Sequence, residues 1–129
     1  MKRAISFLAT LMLTFVVAFG FVVNTASAEI FTCRLSQTQP CIQVLDAHDE
    51  LDLFFNSLSN LDVTFQSQTA RQTVQVTPTI GSQVQPPVNI QPGGITARNY
   101  PTIGSTAAVF VNNSAVTPSP VRLSIVGSI

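Results

Sequence analysis

The sequence predicts an all-β fold: an antiparallel β-sandwich of about seven short strands, with one short helix on its N-terminal side and one disulfide. Three observations carry that prediction. From Asp62 to Ile129 the chain has a single leucine, Leu123, and no lysine; its only charges after Asp62 are Arg71, Arg98 and Arg122. Val, Ile, Thr, Gln and Ser fill this stretch, the residue types that suit a pleated, half-buried surface. Seven of the chain's eight prolines fall in it and cut it into short runs.

Residues 1–28 have the pattern of a secretory signal peptide. Lys2 and Arg3 form a positive start, Ala4–Val23 is largely apolar, and Ala26-Ser27-Ala28 is a small-residue cleavage site. The alternative is an uncleaved anchor, since the run approaches the ~20 residues of a membrane span. Ser6, Thr10 and Thr14 interrupt it, and with the cleavage triplet they favour removal. Residues 29–129 then form a single secreted β-sandwich domain. Its 101 residues can build one modest core. Six acids against four arginines give this part a net charge of −2. With no basic cluster, nucleic acid is not expected as a partner.

Cys33 and Cys41 are the only cysteines. In an exported chain two thiols this close are expected to pair. The short polar loop Arg34–Pro40 favours self-closure over crosslinking of subunits.

Taken in order, Phe31, Cys33 and Leu35 alternate with Thr32 and Arg34, the period of a half-buried strand. Ile42–Val44 offers a second strand after the cysteine loop. Asp46–Leu58 carries the helix expectation. Leu51, Phe54, Phe55 and Leu58 make one apolar stripe at helical spacing, and Asp46, Asp49 and Glu50 suit a helix start. The competing reading is a strand through Leu51, Leu53 and Phe55. From Leu61 the period is two: Leu61, Val63 and Phe65, then Val74 and Val76. Further short runs follow at Val84, Val88–Ile90, Ile95–Ala97, Ala107–Val111 and Val121–Val126. Pro92-Gly93-Gly94 suits a tight reversal, and Pro86-Pro87 is confined to an edge or linker.

Pro-Thr-Ile-Gly-Ser occurs twice, at Pro78–Ser82 and Pro101–Ser105, and Gly127 repeats the glycine spacing of 23 residues. Two copies are too few for a solenoid. They read as duplicated corners in which proline begins the turn, isoleucine tucks inward and glycine takes the tight backbone position.

No catalytic, cofactor or metal site emerges. His48 lies among Asp46, Asp49, Glu50 and Asp52, which reads as a solvated helix start; two cysteines and one histidine cannot fill a structural zinc site. No serine sits in a nucleophile elbow, and Gly93-Gly94 is not a phosphate loop. Asn112-Asn113-Ser114 is a formal N-glycosylation sequon.

The expectation is therefore an exported, non-enzymatic structural protein of a cell surface, extracellular matrix or fibre. Its expected partner is itself, as homo-oligomer or polymer, through sheet edges or terminal strands. Other surface or matrix proteins are further partners, and no membrane is expected after leader cleavage. Phe31 and Ile129 mark the strand-like ends. The alternative is a secreted monomeric binding module that recognises a carbohydrate or protein through loops carrying Arg98, Asn99 and Tyr100. Tyr100 is the only tyrosine and tryptophan is absent, which counts against the carbohydrate.

Overall fold

The computed structural model describes residues 28–129. The expected leader, apart from Ala28, lies outside the described residues. Strands follow one another as β1 (Ile30–Leu35), β2 (Cys41–Leu45), β3 (Glu50–Phe55), β4 (Asn60–Ser67), β5 (Val74–Ile80), β6 (Gln83–Val84), β7 (Val88–Ile90), β8 (Ile95–Pro101), β9 (Ala107–Asn112) and β10 (Val121–Ser128). One sheet runs β1-β3-β9-β5, with β6 and β7 both paired to the far side of β5; the other runs β2-β10-β4-β8. The two sheets face each other as a sandwich.

Period-two patterning places the core between them. In β4, Leu61, Val63 and Phe65 are buried while Asp62 and Thr64 face water; β10 buries Val121, Leu123 and Ile125 in the same way. The opposing sheet contributes Leu51, Leu53, Phe55, Val74, Val76 and Phe110. Among the described residues no helix is long and apolar enough to cross a membrane.

The helix expected over Asp46–Leu58 is not there. β3 is a strand that buries Leu51, Leu53 and Phe55 and leaves Phe54 40 % exposed. Tertiary pairing decided between two periods that the same residues satisfy. β3 has a partner on each side, β1 and β9, and a period-two strand fills both ladders. His48 at φ 73° also breaks any helix through this segment. Asp46 and Asp49 do cap backbone groups, but those of a turn. Asp46 accepts from the Ala47 and Ser119 N–H groups, and Asp49 from those of Glu29 and Asp46.

Two further expectations are corrected in detail. The described residues form ten strands and not about seven: β3 takes the place of the helix, and the short runs on either side of Pro86-Pro87 each pair with β5 as β6 and β7. Nor is the sandwich wholly antiparallel, since β1 and β3 run parallel. The chain leaves the first sheet after β1, runs through β2 in the second, and returns as β3 in the original direction.

Pro78 lies buried inside β5, where a proline is unusual. Its carbonyl accepts from the Gln85 N–H, on the β6–β7 side. In an antiparallel strand a residue's N and O point the same way. The missing N–H of Pro78 therefore faces the gap that Pro86-Pro87 leaves in that edge, and no ladder bond is lost.

Cys33 and Cys41 are bonded within the chain, with Cα atoms 6.3 Å apart. The bridge ties β1, the edge of one sheet, to β2, the edge of the other. Replacing both cysteines by serine is expected to cost roughly 2–3 kcal/mol, the unfolded-state entropy removed by closing a loop this short. Urea unfolding of the variant checks this; an unchanged midpoint would mean that the bridge constrains nothing the sheets do not already hold.

Candidate functional site

The bridge closes one side of the sandwich. On the other side β8 and the β6–β7 edge leave the sheets open. In register, Thr96, Arg98 and Tyr100 of β8 stand opposite Phe65, Val63 and Leu61 on the core-facing side. Only Tyr100 is buried there; Arg98 remains exposed because no strand of the first sheet covers it. An inward-pointing charge on an edge strand discourages pairing with another chain.

The two copies of Pro-Thr-Ile-Gly-Ser meet at this opening. The first turns from β5 into β6 and the second leads from β8 towards β9. Gly81 and Gly104 take φ 63° and 75°, the left-handed conformation that glycine adopts without penalty. A Cβ at Gly81 would collide with the Ser105 side chain, so the first copy's glycine sits against the second copy's serine. The Gly81 N–H donates to the Ala107 carbonyl at 2.8 Å, fixing the approach.

The copies differ in facing. Pro78 and Ile80 point into the core, whereas in the second copy Thr102 is buried and Ile103 is 83 % exposed. The expectation that isoleucine tucks inward holds for Ile80 alone. Thr102 is committed by three bonds: its N–H donates to the Ser59 carbonyl, its hydroxyl to the Leu58 carbonyl, and its carbonyl accepts from the Ser105 N–H. Anchoring Thr102 inward forces its neighbour Ile103 out, at φ 49°. Gly127, the third glycine of the spacing, makes no turn. It lies within β10, where a Cβ would strike the packed Leu58 side chain.

Between the copies is a cleft of about 390 Å³, walled by Ile80 and Ser82 on one side and Thr102, Ile103 and Ser105 on the other, with Tyr100 as its floor. Gln83 and Gln85 complete the rim, and among the described residues no charged side chain lines it. Ile103 forms the ridge between this cleft and a shallower depression over Ser57–Asn60. Burial pushes the Tyr100 phenol above its ordinary pKa, an effect that the Arg98 guanidinium partly opposes.

Of the residues singled out for interaction, Arg98 and Asn99 line one shallow depression with Asp62, and Phe31, Tyr100 and Ile129 do not join them. Arg98, Asn99 and Tyr100 lie on β8, a strand and not a loop. Tyr100 faces the core, Arg98 donates to the Ala97 carbonyl, and Asn99 on the outer face donates to Asp62 at 2.6 Å. Phe31 packs partly buried against the core from β1. Ile129 is 75 % exposed just beyond β10, but β10 itself is paired on both sides, with β2 and β4. The terminal strand is thus consumed by its own sheet.

Other candidates resolve into structure. His48 is exposed in a turn. Among the described residues no group of three or more His, Cys, Asp or Glu side chains could hold a metal ion. Glu50 and Asp52 lie side by side on the outer face of β3. Hydrogen bonding to Asp52, desolvation and the repulsion of its charge, in that order, raise the Glu50 pKa. The sequon is also structural: Asn112 is fully buried, and its amide nitrogen donates to the Leu45 and Ser119 carbonyls.

The signal for the cleft was present in the sequence as the repeated pentapeptide. Nothing in it showed that the two copies lie against one another or that they face opposite ways.

No protein-family model and no curated protein sequence matches the chain. Some solved structures are similar to it. The pre-peptidase C-terminal domain of collagenase from Bacillus anthracis is similar with a TM-score of 0.50 at 17 % identity, covering 79 % of this chain and 99 % of that one. PliG of Aeromonas hydrophila, a periplasmic inhibitor of g-type lysozyme, aligns with a TM-score of 0.44 at 9 % identity, over 79 % of this chain and 100 % of that one. The likeness to the collagenase domain is one of fold, a β-sandwich.

Proposed function

We propose that this chain is an extracytoplasmic, non-enzymatic binding module, with the cleft between the repeated corners as its ligand site. The cleft is the observation that carries the reading. At about 390 Å³ it falls within the 300–1,000 Å³ range of small-ligand sites. Its walls are built on turns: both corner glycines take left-handed backbone and Thr102 is held by three bonds. It offers hydroxyls, amides and aliphatic surface, and no nucleophile–base pair. The disulfide supports an oxidising compartment, in keeping with the leader pattern.

A second reading is self-association. It is favoured by the outer edge of β1, which no strand covers among the described residues. In a strand the N–H and C=O of alternate residues point to opposite sides, so half of those in Ile30–Leu35 face away from β3, an open template for an incoming strand.

Both readings are tested on the secreted chain with one variant. Ser82→Phe, at an exposed position on the cleft wall, is expected to plug the cleft without altering the sheet pairings. Binding to an immobilised panel of neutral peptides and glycans should disappear while the melting temperature is kept. Binding that survives the plug would place the ligand elsewhere. Sedimentation of the same samples should show a monomer; concentration-dependent polymers would favour the β1 edge.

A further inference from the structure

Resting on the reading of the cleft as a ligand site, we infer that its ligand is a short, uncharged peptide segment that seats one aliphatic side chain, with Ile103 as the specificity-determining contact. Ile103 is the strongest single observation. It is the one β-branched residue with positive φ among the described residues; the other non-glycine cases, His48 and Ser57, are polar. Left-handed backbone is a genuine outlier for such a side chain. At 83 % exposure, Ile103 gains almost no burial in return. Glycine or asparagine would occupy the position without strain. Strain of this kind persists where surrounding structure over-determines it, and it clusters at ligand clamps. Here the anchored Thr102 supplies the over-determination, and the result is an aliphatic side chain held upright on the rim of the cleft.

The rest of the lining selects the ligand class. Ile80, Pro101 and Ile103 offer aliphatic contact, while Ser82, Gln83 and Ser105 offer neutral donors and acceptors. With no charge in the walls, a phosphate, a carboxylate or a basic side chain finds no partner and would lose its hydration. Tyr100 is 8 % exposed and packs edge-on to Phe110, so its ring is no stacking platform for a sugar. Among the described residues β6 pairs only with β5, leaving one edge for the backbone of an extended segment. Pro86-Pro87 follows directly and limits that pairing to a few residues.

The test is a nitrogen-15 NMR titration of the secreted chain with a pool of capped tripeptides, acetyl-Thr-X-Thr-amide with X as Ile, Leu or Val. The same peptide with X as Asp and the glycan maltotriose are run in parallel. The aliphatic pool should shift the amides of Ile80, Gly81 and Ser105, and the Asp peptide should not. Ile103→Asn keeps a residue that accepts left-handed backbone. It should weaken binding about tenfold, the loss expected for one buried branched side chain, while the melting temperature stays level or rises. Full affinity in Ile103→Asn would overturn the role of Ile103. Shifts at the same amides with maltotriose and not with the pool would overturn the peptide class and leave the cleft as a binding site. Unmoved cleft amides with every probe would overturn both readings.

Discussion

Phe110→Ala is expected to lower the unfolding free energy by about 3–5 kcal/mol, the range for deleting a fully buried phenylalanine. Phe110 is fully buried on β9, in the first sheet. Its ring lies 6.3 Å from that of Phe65, tilted by 57°, and 6.4 Å from that of Tyr100 at 63°. Phe65 and Tyr100 belong to the second sheet, on β4 and β8. The three rings therefore fill the space between the sheets, and removing the middle one leaves a hole that neither layer can close alone. Two aromatic contacts disappear with it, one tilted and one edge-on, each worth ~0.5–1.5 kcal/mol beyond area. A single domain of this size has a total of ~5–15 kcal/mol to lose, so the variant should unfold at markedly lower urea. Tyr100 is also the floor of the cleft, so Phe110→Leu, which refills part of the volume, separates loss of stability from loss of binding. A cost below about 1.5 kcal/mol in Phe110→Ala would show that the sheets move together over the cavity.

Asn112→Ala is expected to cost about 3–4 kcal/mol by orphaning buried polar groups. The Asn112 side chain lies between the end of β2 and the 113–120 connection. Its nitrogen donates to the Leu45 carbonyl at 2.9 Å and the Ser119 carbonyl at 2.8 Å. Its oxygen accepts from the Ser114 N–H and hydroxyl. Ser114 and Ser119 are buried as well, so no bulk water replaces the lost partners. Asn112→Asp is the sharper variant. It keeps the acceptor towards Ser114 but aims a carboxylate at two carbonyls, and it should destabilise at least as much as alanine. Thermal unfolding of both variants checks the ordering. Stability within about 1 kcal/mol of the parent for either would mean the network is dispensable. The same geometry explains why the Asn-Asn-Ser sequon does not read as a modification site in the folded chain: the nitrogen a glycan would need is already bonded twice.

The legible parts of the fold were those where one residue's chemistry leaves few choices. Pro92-Gly93-Gly94 was expected to reverse the chain, and it does, with Gly93 at φ 67° and the Gly94 N–H donating to the Gln91 carbonyl. Pro86-Pro87 was confined to an edge, and it splits one. Leu61–Phe65 could bury one face only in a strand. Asp46–Leu58 was different, because Leu51 and Phe55 fit both a helical stripe with Phe54 and Leu58 and an extended one with Leu53. The choice depended on whether strands would lie on both sides, and those strands come from residues 30–35 and 107–112. The cleft was hidden for a related reason. Pro78–Ser82 and Pro101–Ser105 are identical in sequence, so no local rule could have assigned Ile80 inward and Ile103 outward.

From the chain alone came the β class, the turn positions and the Cys33–Cys41 pairing, each set by neighbours within a few residues: alternation, glycine and proline geometry, and a short loop between thiols. The folded arrangement settled that β3 is a strand, that β1 runs parallel to it, and that two like pentapeptides face each other across an open mouth with reversed sides. Those outcomes turn on ladder partners and buried carbonyls far away along the chain, such as Leu58 for Thr102. A partner that distant leaves no mark in the local pattern of residues.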